Sequence, residues 1–221
     1  MSDITVKALY KTDESLAMPF LLKYTYPWEV LPHIGEIILK IAEDLDPGRY
    51  EKREDNIWVA KSAYIYPTAT IKGPAIIGED TEVRPGAFIR GNVLVGNNCV
   101  VGNSTELKNV ILFNNVQVPH YNYVGDSVLG YRSHMGAGSI TSNVKADKSI
   151  VVVKNGDEKH DTGLKKFGAM LGDHVEVGCN SVLNPGSVIC PNTNIYPLSM
   201  VRGVVPEDSI YKNTNEIISK E

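Results

Sequence analysis

Aliphatic residues recur at every sixth position from Val59 to Leu107: Val59, Ile65, Ile71, Ile77, Val83, Ile89, Val95, Val101 and Leu107. The beat returns at Leu171, Val177, Leu183, Ile189, Ile195 and Val201. Two places before each, the residue is mostly small, as at Ala63, Ala69, Ala75, Thr81 and Ala87, and again at Ser181, Ser187, Thr193 and Ser199. A helix would repeat at three and four, and a half-buried strand would alternate by two. A strict six fits a coil of short flat strands that turns one corner per hexad. The aliphatic residue points into the coil and the small one sits where the interior is crowded. A following glycine, such as Gly78, Gly96 or Gly102, eases the corner. The pattern predicts a mainly β fold, a single-stranded parallel β-helix of hexapeptide repeats with a small α-containing N-terminal segment.

The beat divides the chain. Residues 1–56 do not follow it and form the N-terminal segment. Within them Val30, Leu31, Ile34, Ile37, Ile38 and Ile41 recur at three and four after Pro27, a favourable residue for a first helical position. One amphipathic helix is therefore expected, ending near Asp44–Pro47. Its apolar stripe needs a partner, either the outside of the chain's own β-helix or a neighbouring subunit. Residues 57–205 form the β-helix domain. The phase slips between Leu107 and Val118 and again between Val124 and Leu129, and such slips mark bulges or re-aimed corners. Residues 143–163 leave the beat in a polar loop excursion around a short Ile150–Val153 strand, and loops of this kind tend to be functional. Residues 206–221 read as a C-terminal cap or tail.

The formal net charge of −4 offers no basic surface for nucleic acid. No apolar run is long enough to span a membrane, and the N-terminus carries no signal-peptide pattern. Three cysteines without metal-ligand spacing suit a reducing, cytoplasmic setting. His120, His134, His160 and His174 form no tight ligand cluster with them, so no metal site is expected. No Gly-rich nucleotide loop is present.

Alternation places Val118 and Val124 inward and His120 and Tyr123 outward near a corner. An outward histidine is compatible with plain surface or with a site. Arg84, Arg90 and Lys108 each follow an inward aliphatic residue. If three hexads make one coil, Lys72, Arg90 and Lys108 stack on rungs about 4.8 Å apart. Either these long side chains splay into water, or an anion such as phosphate lies between them.

Four blocks carry a resemblance: Val83-Arg-Pro-Gly-Ala, Val101-Gly-Asn-Ser-Thr-Glu-Leu-Lys108, Pro119-His-Tyr-Asn-Tyr-Val-Gly-Asp126 and Met135-Gly-Ala-Gly-Ser-Ile-Thr-Ser-Asn143. In order and spacing they resemble the acetyltransferase domain of the bifunctional glucosamine-1-phosphate acetyltransferase / N-acetylglucosamine-1-phosphate uridylyltransferase family. Tyr26-Pro-Trp-Glu-Val-Leu and Asp161-Thr-Gly-Leu-Lys-Lys-Phe-Gly-Ala look more like the related fused sugar-1-phosphate nucleotidylyltransferase–acetyltransferases. The resemblance spans about residues 24–205. It implies a left-handed β-helix working as a homotrimer, with acetyl-CoA as co-substrate and an amino-sugar 1-phosphate, most simply glucosamine 1-phosphate, as acceptor. No metal is implied for the transfer.

Carried over by position, His120 becomes the general base. Arg84 and Lys108 hold the sugar phosphate, Tyr123 contacts phosphate or sugar, and Asn143 orients the sugar. Ala137 and Cys179 face acetyl-CoA. The chain departs from the family at His134, where Asn is usual, at Val144-Lys145, where Tyr-Asp is usual, and at Cys179, where Ser is usual. The nucleotide loop of the uridylyltransferase domain is missing, so that second activity is not expected. The alternative to an acyltransferase is a non-catalytic β-helix trimer that binds a sugar phosphate or sugar nucleotide as a regulatory or scaffold protein.

Overall fold

A computed structural model describes residues 1–213 and 216–220. Ile57 pairs with Ala75 and Ala75 with Val93 in parallel register, so one coil takes three hexads. The coil has three faces. The first runs from Tyr64–Ile65 through Glu82–Val83, Val100–Asn103, Gln117–His120, His134–Met135, Glu176–Val177 and Asn194–Ile195 to Ser209–Asn213. The second includes Thr70–Ile71, Phe88–Ile89, Ile140–Thr141, Val182–Leu183 and Met200–Val201. The third includes Ile57–Ala60, Ala75–Ile77, Val93–Val95, Ala169–Leu171, Ser187–Ile189 and Val204–Val205. Strands Glu106–Leu112 and Tyr123–Leu129 serve both the second and third faces, turning at Asn109 and Asp126, which adopt φ of 56° and 49°.

The beat residues from Ile77 onward are buried, and the small residues beside them, including Thr81, Thr105, Ser181 and Ser187, are buried too. Their hydroxyls bond the backbone rather than each other: Thr81 Oγ1 donates to Gly96 O at 2.7 Å and Ser187 Oγ to Asn184 O at 2.7 Å. These four buried hydroxyls are thereby satisfied without widening the coil, whereas Ser133 Oγ, buried two places before Met135, has no partner among the described residues. The glycines that follow the beat serve a different need from the one expected. Gly102 is not in the left-handed region, but a Cβ there would lie 1.6 Å from Pro119 O of the next rung. Close approach between coils, rather than backbone freedom, excludes a side chain.

The two phase slips fall at one corner, between the second and third faces. Three residues, Arg90, Gly91 and Asn92, separate the paired positions Ile89 and Val93 on one rung. Only Lys108 and Asn109 separate Leu107 from Val110 on the next, and Gly125 and Asp126 separate Val124 from Ser127 on the one after. The shortened corner re-aims these side chains. The loop excursion leaves the same corner one rung later. It contains an antiparallel hairpin, Val152–Asn155 with Glu158–Asp161. It closes where Phe167 N–H donates to Asn143 O at 2.9 Å. The coil then resumes in register, with Ile140 opposite Val182.

The N-terminal segment wraps the third face. It holds α1 (Val6–Leu9), α2 (Met18–Leu21), a 3-10 helix at Pro27–His33 and α3 (Ile34–Glu43). The stretch after Pro27 is thus two elements in place of one continuous helix. Pro32 lacks an N–H and crowds the preceding turn, so the α-helix begins only beyond it. Glu29 accepts from Thr25 N–H and Tyr26 N–H at 2.9 Å each and fixes the start of the 3-10 helix. On the third face the outward residues are also apolar: Ile76, Leu94, Ile111, Val128, Met170 and Val188 are all buried. α3 packs over strands 75–77, 93–95 and 106–112 with Ile34, Ile37, Ile38 and Ile41 buried. Its partner is the outside of its own β-helix. Asp173 ties α1's exit to the coil: its carboxylate accepts from Lys11 N–H and Tyr131 N–H at 2.8 Å each, and its own N–H donates to Leu9 O at 3.0 Å. Burial still holds its carboxyl above the usual range. Among the described residues no helix is long and apolar enough to cross a membrane.

This packing makes an outward residue behave as core. Leu94→Ala is expected to lower the unfolding free energy by about 2–5 kcal/mol, the range for a buried leucine, measured by urea denaturation. A change within about 0.5 kcal/mol, as at an exposed position, would show that the segment does not seal this face.

Candidate functional site

Two corners flank the second face, and they carry different chemistry. At the corner between the first and second faces His120 is exposed. Its carbonyl accepts from Gly138 N–H at 3.0 Å, and Ala137 O on that next rung accepts from Asn180 N–H at 2.8 Å. Cys179 O accepts from Leu198 N–H at 2.9 Å. His120, Ala137 and Cys179 therefore occupy the same place on three successive rungs, about 4.8 Å apart. Ala137 is half-buried and Cys179 exposed, so a narrow open strip runs up the corner from the imidazole. Tyr121, next to His120, is 65% exposed and sits at φ 52°, an uncommon conformation for an aromatic residue.

At the corner between the second and third faces the side chains converge on Asp126. Its residue is only 3% exposed. Lys108 Nζ donates to its Oδ1 at 2.9 Å and its Oδ2 at 3.2 Å. Asn109 Nδ2 donates to Oδ1 at 3.0 Å, and Asn143 Nδ2 donates to Oδ2. Asn143 Nδ2 also lies 3.2 Å from the Tyr123 hydroxyl oxygen, which accepts. Asn109 in turn donates to Leu31 O at 3.1 Å, joining the 3-10 helix to the cluster. Such a buried carboxylate is tolerable because its oxygens are held by a cation and amide donors.

Lys72, Arg90, Lys108 and Gly125 form one column, since Lys72 N–H donates to Ile89 O, Arg90 N–H to Leu107 O, and Lys108 pairs with Gly125. Both inner cations have acidic partners: Arg90 Nη1 lies 2.6 Å from Glu106 Oε1, and Lys108 meets Asp126. Repulsion along the column is thereby offset. At Gly125 the column ends in a notch, where a Cβ would come within 2.5 Å of the Tyr123 hydroxyl and 3.0 Å of Asn143 Nδ2. Burial, then the Asp126 and Glu106 carboxylates, push the Tyr123 phenol upward, while Asn143 and Arg90 pull it down. Tyr123 therefore stays neutral and keeps its proton to donate.

Of the residues singled out from sequence, the structure brings Lys108, Tyr123 and Asn143 together at one corner, and His120, Ala137 and Cys179 along the other. It does not bring Arg84 to Lys108. Arg84 lies at the His120 corner, two rungs away, where its Nε donates to Glu82 Oε2 at 3.0 Å. Arg90, one rung from Lys108, stands in the place expected of Arg84. Asp126 was not anticipated. Its one sequence signal is that it closes the second shortened corner.

Residues 71–205 match the family model described as the GMPPB C-terminal domain. Among curated relatives, the "Bifunctional protein GlmU" of Methanococcus aeolicus is 34% identical over 212 residues, covering 88% of this chain and 47% of that protein. A "Bifunctional sugar-1-phosphate nucleotidylyltransferase/acetyltransferase" of Sulfurisphaera tokodaii is 31% identical over 161 residues, covering 64% of this chain and 40% of its own. The chain spans about half the length of the curated relatives it matches.

The strip sets apart one thiol. Burial pushes Cys99 up to about 12 and Cys190 up to about 11, while Cys179 is exposed. The thiolate is the reactive form. At pH 8 an aromatic disulfide reagent is expected to titrate one thiol per folded chain and three after denaturation. Loss of the single fast thiol in Cys179→Ser checks the assignment; two fast thiols in the folded protein would contradict it.

Proposed function

The chain belongs to the GMPPB C-terminal domain family, and on that premise we propose that it is an acetyl-CoA-dependent N-acetyltransferase acting on an amino-sugar 1-phosphate, with glucosamine 1-phosphate as the first acceptor to test. One observation carries the reading: an exposed imidazole at the foot of an open strip and a ring of donors around Asp126 bound the same narrow face. The name of the Sulfurisphaera relative, which includes an acetyltransferase, supports the reaction class.

The chemistry divides between the corners. Arg90 and Lys108 take the sugar phosphate, each cation shared between its carboxylate partner and the incoming anion. Tyr123 donates its hydroxyl, and Asn143 fixes the sugar beside the notch at Gly125. Arg84, paired at the other corner, takes no part in holding that phosphate. The acceptor amine then approaches the strip where Ala137 and Cys179 would lie along acetyl-CoA. His120 removes the amine proton as nitrogen attacks the thioester carbonyl. A C–N bond forms, the C–S bond breaks, and the CoA thiolate leaves and takes up the proton. Imidazole suits this exchange because its charge changes near neutral pH. Exposed Tyr121, Leu198 and Met200 line the flank of the same face, and burying them between copies of the chain would suit a homotrimer.

Release of free thiol from acetyl-CoA in the presence of glucosamine 1-phosphate tests the reading. His120→Ala is expected to lower kcat by about 10²–10⁴-fold, the usual contribution of a general base. Lys108→Gln is expected to raise KM for the sugar phosphate with a smaller change for acetyl-CoA. Sugar-phosphate binding with no thiol release across a panel of amino-sugar phosphates would instead favour a regulatory or scaffold role without turnover.

A further inference from the structure

The third corner, between the third and first faces, holds a groove that the proposed transfer does not use. Its volume is about 440 Å³, within the range of small-molecule sites. Gln117, Arg132, His134, His174 and Glu176 line it. It lies on a different edge of the coil from both His120 and Lys108.

The backbone at this edge is informative. One residue per rung adopts the left-handed conformation: Asp80, Asn98, Asn115, Arg132, His174, Asn192 and Asp208, with φ between 49° and 61°. They form a single column, because each N–H from Asn98 onward bonds to a carbonyl of the preceding rung, as Arg132 N–H does to Asn114 O and His174 N–H to Tyr131 O. Asn, Asp and His enter this conformation more readily than other residues. Six of the seven positions obey that preference. The exception is Arg132, which faces the groove together with His174 on the next rung. Strain retained at Arg132 points to a use for its side chain.

The charges point to the ligand. Glu176 Oε2 lies 2.8 Å from His134 Nδ1, so that carboxylate is already engaged. Asp173, the other acid near His174, is buried and accepts two backbone N–H groups. Arg49, Arg53, Arg84 and Arg90 all pair with carboxylates. Among the described residues Arg132 has none within salt-bridge distance; it stacks over Tyr131 at 5.5 Å. Lys11 approaches the same ring at 5.9 Å, and the His174 ring meets it edge-on at 5.4 Å. A planar guanidinium without a carboxylate, beside two imidazoles and an amide, suits a phosphoryl group. We propose that this groove binds a phosphoryl-bearing small molecule at a site separate from the transfer site.

Titration calorimetry on the full chain with inorganic pyrophosphate tests this, with glucose 1-phosphate and UDP as further arms to distinguish a sugar phosphate from a nucleotide. Arg132→Asn with His174→Asn is the decisive variant, since Asn is the residue this backbone prefers. Its melting temperature is expected to rise by about 2–4 °C through the relieved Arg132 position, while anion affinity falls by at least about 10-fold. Lys108→Gln, at the transfer site, should keep the groove's binding. A merely structural role would raise stability and leave affinity unchanged. Unchanged affinity in the double variant, binding lost in Lys108→Gln alone, or no binding by any arm would overturn the proposal.

Discussion

Everything in this molecule depends on the hydrogen-bonded stacking of one coil on the next. Parallel rungs lie about 4.8 Å apart, and the inward aliphatic column keeps them in phase. Residues some 17 or 18 apart in sequence therefore become vertical neighbours, as with Val83 and Val101 or Val101 and Val118. Side chains at corners gather into columns whether or not they attract one another. The basic column Lys72, Arg90, Lys108 exists because the ladder imposes it. Glu106 and Asp126 then make it tolerable. The same ladder lines up Arg132 and His174, and His120, Ala137 and Cys179.

The ladder also explains what could be read from the sequence. A period of six survives in the primary structure because each hexad repeats the same local environment, so the coil and its inward residues were legible. The outward stripe of the third face was hidden by its neighbours. Ile76, Leu94 and Ile111 sit between residues that are themselves apolar, so their burial leaves no separate signal. The donor cluster was partly legible: Lys108, Tyr123 and Asn143 follow from spacing and resemblance. Asp126 was not, because an acid beside a glycine reads as a solvated turn until its partners are seen. The exchange of Arg84 for Arg90 shows the limit of hexad phase. Both follow an inward aliphatic residue, but six residues move a side chain to another corner of the coil, and eighteen are needed to return it.

The N-terminal segment does more than cover apolar surface. Its 3-10 helix reaches the donor cluster through Leu31 O and Asn109, and its aromatic run reaches the excursion hairpin. Tyr26 stacks on Trp28 at 4.6 Å, and His160 of the hairpin lies 5.1 Å from Tyr26. Trp28 also meets Phe167, the residue whose N–H closes the loop on Asn143, at 5.8 Å. The donor cluster and the base of the loop are thus both gripped from outside the coil. Single interactions of this kind are modest, but together they define one geometry for the base of the loop.

The ends of the coil carry a consequence of their own. A parallel β-helix presents at each end a row of backbone groups ready to accept another rung, and an identical chain could supply it. Here the strand Tyr50–Arg53 turns back against Ile57–Ala60 at one end, and Glu216–Ser219 turns back against Ser209–Asn213 at the other. Both reverse the chain direction, so the parallel ladder is interrupted on those faces. Glu51, Lys52, Arg53 and Glu216 add charge to the outermost edges. Two short reversals thus leave antiparallel edge strands on those faces, where an added parallel rung from another copy would not continue the ladder.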